Sequence, residues 1–474
     1  MTALHWWSAH DLARAIRDRE LSAVEVMRAH LDRIAELNPT LNAIVTLLGE
    51  PEALRMAEQA DRAVAAGDVI GPLHGLPIAV KDLMDTAGMR TTYGSPLFAD
   101  HVPDADCLLA ARLRAAGALI VGKTNTPEWG VGSQTFNPVF GATRNPYDPE
   151  RTCGGSSGGA AVAVAAGMLP LADGSDIGGS LRNPAGFCNV VGLRPSPGRV
   201  PSESVYDPFD PLPVLGPIAR SSRDAGLLLS VIAGYDAVSP IALAEDPAGF
   251  AAVEPRDLEG VRIAWSATVG GLPVQRDIRD VLAAARERLS AHGAVVVDLE
   301  PDLDGADEVF ETFRALGMVA MSPAIEKTPD QFKATIHANV AQGLALRPED
   351  VSRASALRAA LYRRTAALLA DYDVLALPTT QVVPFDVEQE YPTEIDGVGL
   401  EGYIEWMRSC SRVSATTLPA ISVPGGFTPD GLPVGLQLVG APRGELTLLG
   451  VAAGVEEALG AGATRPDPSL TAGS

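Results

Sequence analysis

Between Gly154 and Gly192 glycine becomes dense around a run of small residues at 160–166. No other stretch restricts the fold so strongly. Glycines this close together admit positive φ and let backbone approach backbone or ligand, so the segment is expected to supply a site as well as structure. Around it the chain alternates helical and strand patterns. Apolar runs at 77–80, 118–121, 261–265, 294–299, 374–378, 420–424 and 434–439 read as short buried strands, and 107–116, 274–292, 326–370 and 445–459 read as helices. Near the start, Ser8 with Asp11 forms a capping pair, and Ser22 with Glu25 forms a capping box ahead of a helix that Asn38-Pro39 should stop. Strand–helix–strand order of this kind predicts an α/β layered protein.

The chain has 474 residues, 46% of them apolar, which is enough to bury a core without metal or disulfide staples. Its 37 Lys and Arg against 59 Asp and Glu give a net charge of −22, which repels a phosphate backbone and argues against nucleic-acid binding. Cys107, Cys153, Cys188 and Cys410 are far apart and form no C-x-x-C pair, and the seven histidines show no H-x-x-x-H spacing. Neither a disulfide framework nor a zinc site is expected. Residues 1–20 do not read as a secretory leader, and the longest low-polarity run, 160–172, is interrupted and too short for a bilayer. A soluble cytoplasmic protein is the expectation, with no membrane partner and no internal repeat.

Three groups of residues carry chemistry. Gly154-Gly-Ser-Ser-Gly-Gly159 satisfies G-x-S-x-G twice, on Ser156 and on Ser157. A nucleophile elbow would need a buried strand just upstream, but residues 145–151 are polar and carry two prolines, and no downstream histidine has a suitable context. A plain flexible glycine loop is the other reading of the isolated hexapeptide. The second group is Asp173-Gly-Ser-Asp-Ile-Gly-Gly-Ser-Leu-Arg-Asn-Pro184, in which Ser180 lies 24 residues after Ser156. The third is Lys81 in Gly75-Leu-Pro-Ile-Ala-Val-Lys-Asp82, 99 residues before Ser180. Lys123 in Gly122-Lys-Thr-Asn125 lacks a preceding P-loop pattern and reads as structural.

Taken together, these blocks and their spacings resemble the amidase signature family, and the resemblance runs from about residue 21 to about residue 454. Gly192-Leu-Arg-Pro195, Gly216-Pro-Ile-Ala-Arg220 and Gly431-Leu-Pro-Val-Gly435 fit it as well. It implies a three-layer α/β/α fold with a large mixed central sheet covered by helices on both sides. A single domain over 1–460 is expected, with core motifs at 65–200, an embedded smaller region at 255–410 and a flexible tail at 461–474.

The resemblance also implies a Ser–cis-Ser–Lys triad. Ser180 would be the nucleophile, Ser156 the bridging serine after a cis Gly155–Ser156 bond, and Lys81 the base. A serine hydroxyl needs a proton acceptor, and lysine serves only when burial or cationic neighbours hold it neutral. Backbone N–H groups of Ile177, Gly178, Gly179 and Ser180 would form the oxyanion hole. Ser157, Asp176 and Arg182 either orient this relay or serve the fold alone, with Arg182 expected to pair with an acid. Thr126, Trp129 and Phe136 are candidate walls of the substrate channel, although aromatics are as readily core. Ser175, Leu181 and Asn183 depart from common choices beside the nucleophile, which leaves the acyl pocket open.

The implied function is hydrolysis of a carboxamide without metal or organic cofactor, on a small-molecule aryl amide, oligoamide or carbamate, by a monomer or homodimer. Two alternatives are the glutaminase component of a tRNA-dependent amidotransferase (its A subunit) and a non-catalytic binding homologue. The segments 326–370 and 388–407 are candidates for closing over the substrate.

Overall fold

The first two α-helices, Ala9–Arg17 and Ala23–Leu41, each start where a side chain satisfies free N–H groups. In the computed structural model, which describes residues 3–204 and 207–467, Ser8 Oγ accepts from the Asp11 N–H at 3.0 Å. Ser22 and Glu25 form the full reciprocal capping box of helix Ala23–Leu41. Pro39 does not stop this helix as expected, because it falls in the last turn. The helix ends instead at Asn42, at φ 49°, where Asn38 Oδ1 takes the N–H groups of Ala43 and Ile44.

The predicted strands sort into two sheets. The large one has eight strands in the order Val295–Asp298, Arg262–Trp265, Val374–Pro378, Pro433–Val439, Ala420–Phe427, Val191–Arg194, Val214–Ala219, Leu171–Asp176. The first three are mutually parallel and the other neighbours antiparallel, so the sheet is mixed. Helices cover it on both sides in an α/β/α arrangement. The second sheet has three strands, with Leu119–Thr124 between Ile44–Leu47 and Pro77–Lys81. Pro77–Lys81 runs parallel to Leu119–Thr124, with Lys81 opposite Thr124. Both strands are buried along their whole length, as parallel strands require, and so read as continuous apolar runs.

Helix Gly158–Ala165 joins the two sheets. Its sequence, Gly-Gly-Ala-Ala-Val-Ala-Val-Ala, is apolar all round, and every residue is buried. The predicted helical stretch after 326 resolves into Ala334–Leu344 and Pro348–Asp371, both packed against Ala306–Met318. One contiguous apolar core extends from Ala9 to Leu459. Beyond it, the tail expected to be flexible is tied down over its described part, since the Asn189 amide donates to the carbonyls of Ala461 and Thr464. Residues 468–474 lie outside the described residues. Among the described residues no helix is long and apolar enough to cross a membrane.

Candidate active site

Lys81 ends its strand with the side chain fully buried. Its Nζ lies 2.8 Å from Ser156 Oγ, 2.9 Å from Ser157 Oγ and 3.0 Å from Ser175 Oγ. Three hydroxyls suit either protonation state, because an ammonium donates three hydrogen bonds while a neutral amine donates two and accepts one. Burial lowers the Lys81 pKa from 10.5 to about 7, against the opposing pull of the Asp173 and Asp176 charges. Near neutral pH this amine can both accept and return a proton.

The serine loops are fixed by side chains that grip their carbonyls. Thr135 Oγ1 donates to Gly154 O at 2.8 Å, and Ser133 Oγ donates to Gly155 O at 3.0 Å. The Gly155–Ser156 peptide bond is cis. The Ser157 N–H donates to Ser180 O at 3.1 Å and so ties the two serine loops together. Gly174 allows this approach, because a Cβ there would stand 2.7 Å from Ser157 Oγ.

Asp176 organises the turn that presents Ser180. Its carboxylate accepts the N–H groups of Gly179 and Leu181 and is gripped by the guanidinium groups of Arg182 and Arg194, all fully buried. The two arginines hold the Asp176 pKa well below the usual carboxylate range despite burial, which alone would raise it. This arrangement corrects the expected oxyanion hole. The Gly179 N–H is taken up by Asp176 Oδ1 at 2.9 Å, and Gly179 itself sits at φ 127°. The N–H groups of Ile177, Gly178 and Ser180 are left as donors, and among the described residues none of them has a partner in the protein.

Ile177, Gly178 and Ser180 line one wall of a cavity of about 510 Å³. Trp129 and Val131 form part of a second wall, Phe310, Phe313, Met318, Met321, Tyr403 and Met407 add an apolar side, and Asp207, Asp210, Arg314 and Arg358 bring charges to the rest. Trp129, stacked on Tyr93 at 5.2 Å, lines this cavity. Thr126 and Phe136 are not among the cavity-lining residues. Thr126 is buried beneath the loop, and the Phe136 ring lies under the Lys333 ammonium at 5.5 Å. Of the segments expected to close over substrate, 388–407 contributes Tyr403 and Met407. From 326–370 only Arg358 reaches the cavity, and the main cover is the earlier helix Ala306–Met318. Lys123 is buried and holds Met84 O and Thr86 Oγ1, a structural role as read from the sequence.

Two contacts of Lys81 escaped sequence reasoning. Ser175 supplies the third oxygen at Lys81, and Asp173 Oδ1 accepts the Lys81 backbone N–H at 3.1 Å. Residues 173 and 175 share a face of Leu171–Asp176, a strand that the sequence did not disclose, so no local signal pointed to them.

A buried lysine of lowered pKa thus touches three serine hydroxyls, and Ser180 on the adjoining loop lines a cavity beside free backbone N–H groups, all on an α/β/α scaffold. The chain belongs to the Amidase family, whose profile matches residues 25–449. It is 34% identical to an acylamidase of Rhodococcus erythropolis over 96% of this chain and 95% of that protein. It is 36% identical to the A subunit of the glutamyl-tRNA(Gln) amidotransferase of Thermosynechococcus vestitus, over 94% and 97% of the two chains. A bacterial aryl acylamidase of the amidase signature family superimposes with a TM-score of 0.89, at 27% identity and 99% coverage of both chains. The protein is thus an amidase-family enzyme acting on amides.

Proposed function

We propose that this enzyme hydrolyses the C–N bond of an aryl amide, linear oligoamide or carbamate through an acyl-Ser180 intermediate. Ser180 Oγ attacks the carbonyl carbon, its proton passes to Ser156, and Ser156 gives its own proton to the neutral Lys81 amine. The N–H groups of Ile177, Gly178 and Ser180 hold the oxyanion. On collapse the C–N bond breaks, and Lys81 returns the proton through Ser156 to the departing nitrogen. Water then repeats the relay on the ester, releasing the acid and restoring Ser180.

One observation carries the proposal, the 2.8 Å contact between Lys81 Nζ and Ser156 Oγ at an amine that burial brings to about 7. Rate should therefore rise with pH through a midpoint near 7 as Lys81 loses its proton. Incubation with a fluorophosphonate followed by peptide mass spectrometry should place the label on Ser180 and show none in Ser180→Ala. Labelling elsewhere, or normal turnover by Ser180→Ala, would overturn the assignment.

The aromatic and thioether lining of the cavity favours an apolar acyl or aryl group, consistent with the acylamidase relatives. A second reading, the glutaminase component of an amidotransferase, draws on the 36% identity to the Thermosynechococcus vestitus protein. Hydrolysis of anilides by the isolated chain supports the first reading. Glutaminase activity that appears only with a co-purifying partner supports the second.

A further inference from the structure

Four lysines occur in the whole chain, Lys81, Lys123, Lys327 and Lys333. Two of them, Lys81 and Lys123, are fully buried on adjacent strands of the three-stranded sheet. Among the described residues neither has a carboxylate within ion-pair distance. Lys123 bonds the Met84 carbonyl and the Thr86 hydroxyl, and Lys81 bonds three serine hydroxyls. The acids whose charges reach Lys81 are Asp173 and Asp176, and the Asp176 charge is already matched by Arg182 and Arg194.

Asp173 is different. It is fully buried, and among the described residues no arginine pairs with it. One carboxylate oxygen takes the Lys81 N–H at 3.1 Å, while the other, Oδ2, is buried with no partner among the described residues. A carboxylate oxygen left unsatisfied in the interior is costly, and a neutral asparagine or an apolar residue would avoid the charge. Its strand face also carries Ser175, which touches the Lys81 amine. The charged groups facing it are Lys81 and Lys123, with the Cys107 thiol also within its field. Asp82, which faces Lys123, is occupied by Thr92.

We propose that Asp173 is a positioning residue for the base, holding the lysine strand by its N–H and supplying the buried negative charge against which Lys81 takes up and returns its proton. The proposal rests on the reading of Lys81 as that base. The sign follows from Coulomb's law, since a nearby anion favours the ammonium and its removal favours the free amine. Burial holds Asp173 itself up to about 6, so its charge changes within reach of the working pH.

Asp173→Asn keeps an oxygen for the Lys81 N–H and removes the charge. Its acid limb of kcat/KM against pH on an anilide should move down by about one unit. Asp173→Glu should keep the limb near its original place, even if turnover falls. A purely structural role predicts a lower rate with the midpoint unmoved, and that result overturns the proposal. The wild-type chain offers a test that does not depend on a variant folding. With lysine labelled at carbon-13, Lys81 Cε should titrate in two steps, the lower one near pH 6. A single step with no inflection between pH 5 and 7 overturns the proposal equally. Lys81→Met separates the two ideas. If that variant still forms acyl-enzyme, the base assignment fails. If it is inert while Asp173→Asn leaves the midpoint in place, only the role of Asp173 falls.

Discussion

Burying Lys81 comes at the expense of the fold. An unfolded chain would protonate it up to its ordinary 10.5, whereas the folded chain releases the proton at about 7. Between those values the unfolded state binds more protons, so stability should rise with pH across that window. At pH 7 the penalty is about 4 kcal/mol. That exceeds the three hydroxyl hydrogen bonds lost on substitution, at roughly 1 kcal/mol net each. Lys81→Met should therefore abolish turnover and yet melt at a higher temperature than the parent at pH 7, with the gap closing toward pH 10. Calorimetry across that range checks the sign, and a variant that melts lower at neutral pH would contradict it. Asp176 has the opposite character. Asp176→Asn breaks a fully buried cluster with Arg182 and Arg194 and should cost about 3–5 kcal/mol, read as a lower urea midpoint with reduced acylation.

Among elements, helix Ala306–Met318 decides what the cavity admits. Phe310 and Phe313 both line the cavity from one helix face, and Phe310 closes on Gly178, where an added Cβ would stand 2.5 Å from the ring. Phe313→Ala should lower kcat/KM for bulky anilides about tenfold, equivalent to about 1.4 kcal/mol of lost contact, with a much smaller effect on a short aliphatic amide. Equal losses on both would remove this helix from specificity. The elements also divide by how readily sequence discloses them. Strands such as 374–378 and 433–439 were legible as apolar runs, but Leu171–Asp176, Val191–Arg194 and Val214–Ala219 were not. These three carry Asp173, Gly174, Ser175, Asp176, Gly192, Arg194, Gly216 and Pro217, residues that propensity disfavours in strands or that look like surface. They are strands because tertiary partners bury and satisfy them, and that information is not local. The same limit hid the role of the Gly179 N–H, since only the folded turn brings Asp176 back onto it.

At the scale of the whole molecule, the family was legible because three motifs coincide at fixed separations along the chain. The cavity was not, because its walls come from 129–132, 177–180, 207–213, 310–321, Arg358 and 403–407, segments far apart in sequence whose apolar residues look like any core. Lys81 sits on the three-stranded sheet, while Ser175 and the turn bearing Ser180 belong to the eight-stranded one. In the mechanism we propose, proton transfer spans a seam between two sheets that each keep their own ladders of hydrogen bonds. A slip of about one ångström along that seam would silence the enzyme and leave its circular dichroism unchanged. Turnover should accordingly fade at urea concentrations well short of the unfolding transition, making the catalytic rate a strain gauge for how tightly the two sheets are docked.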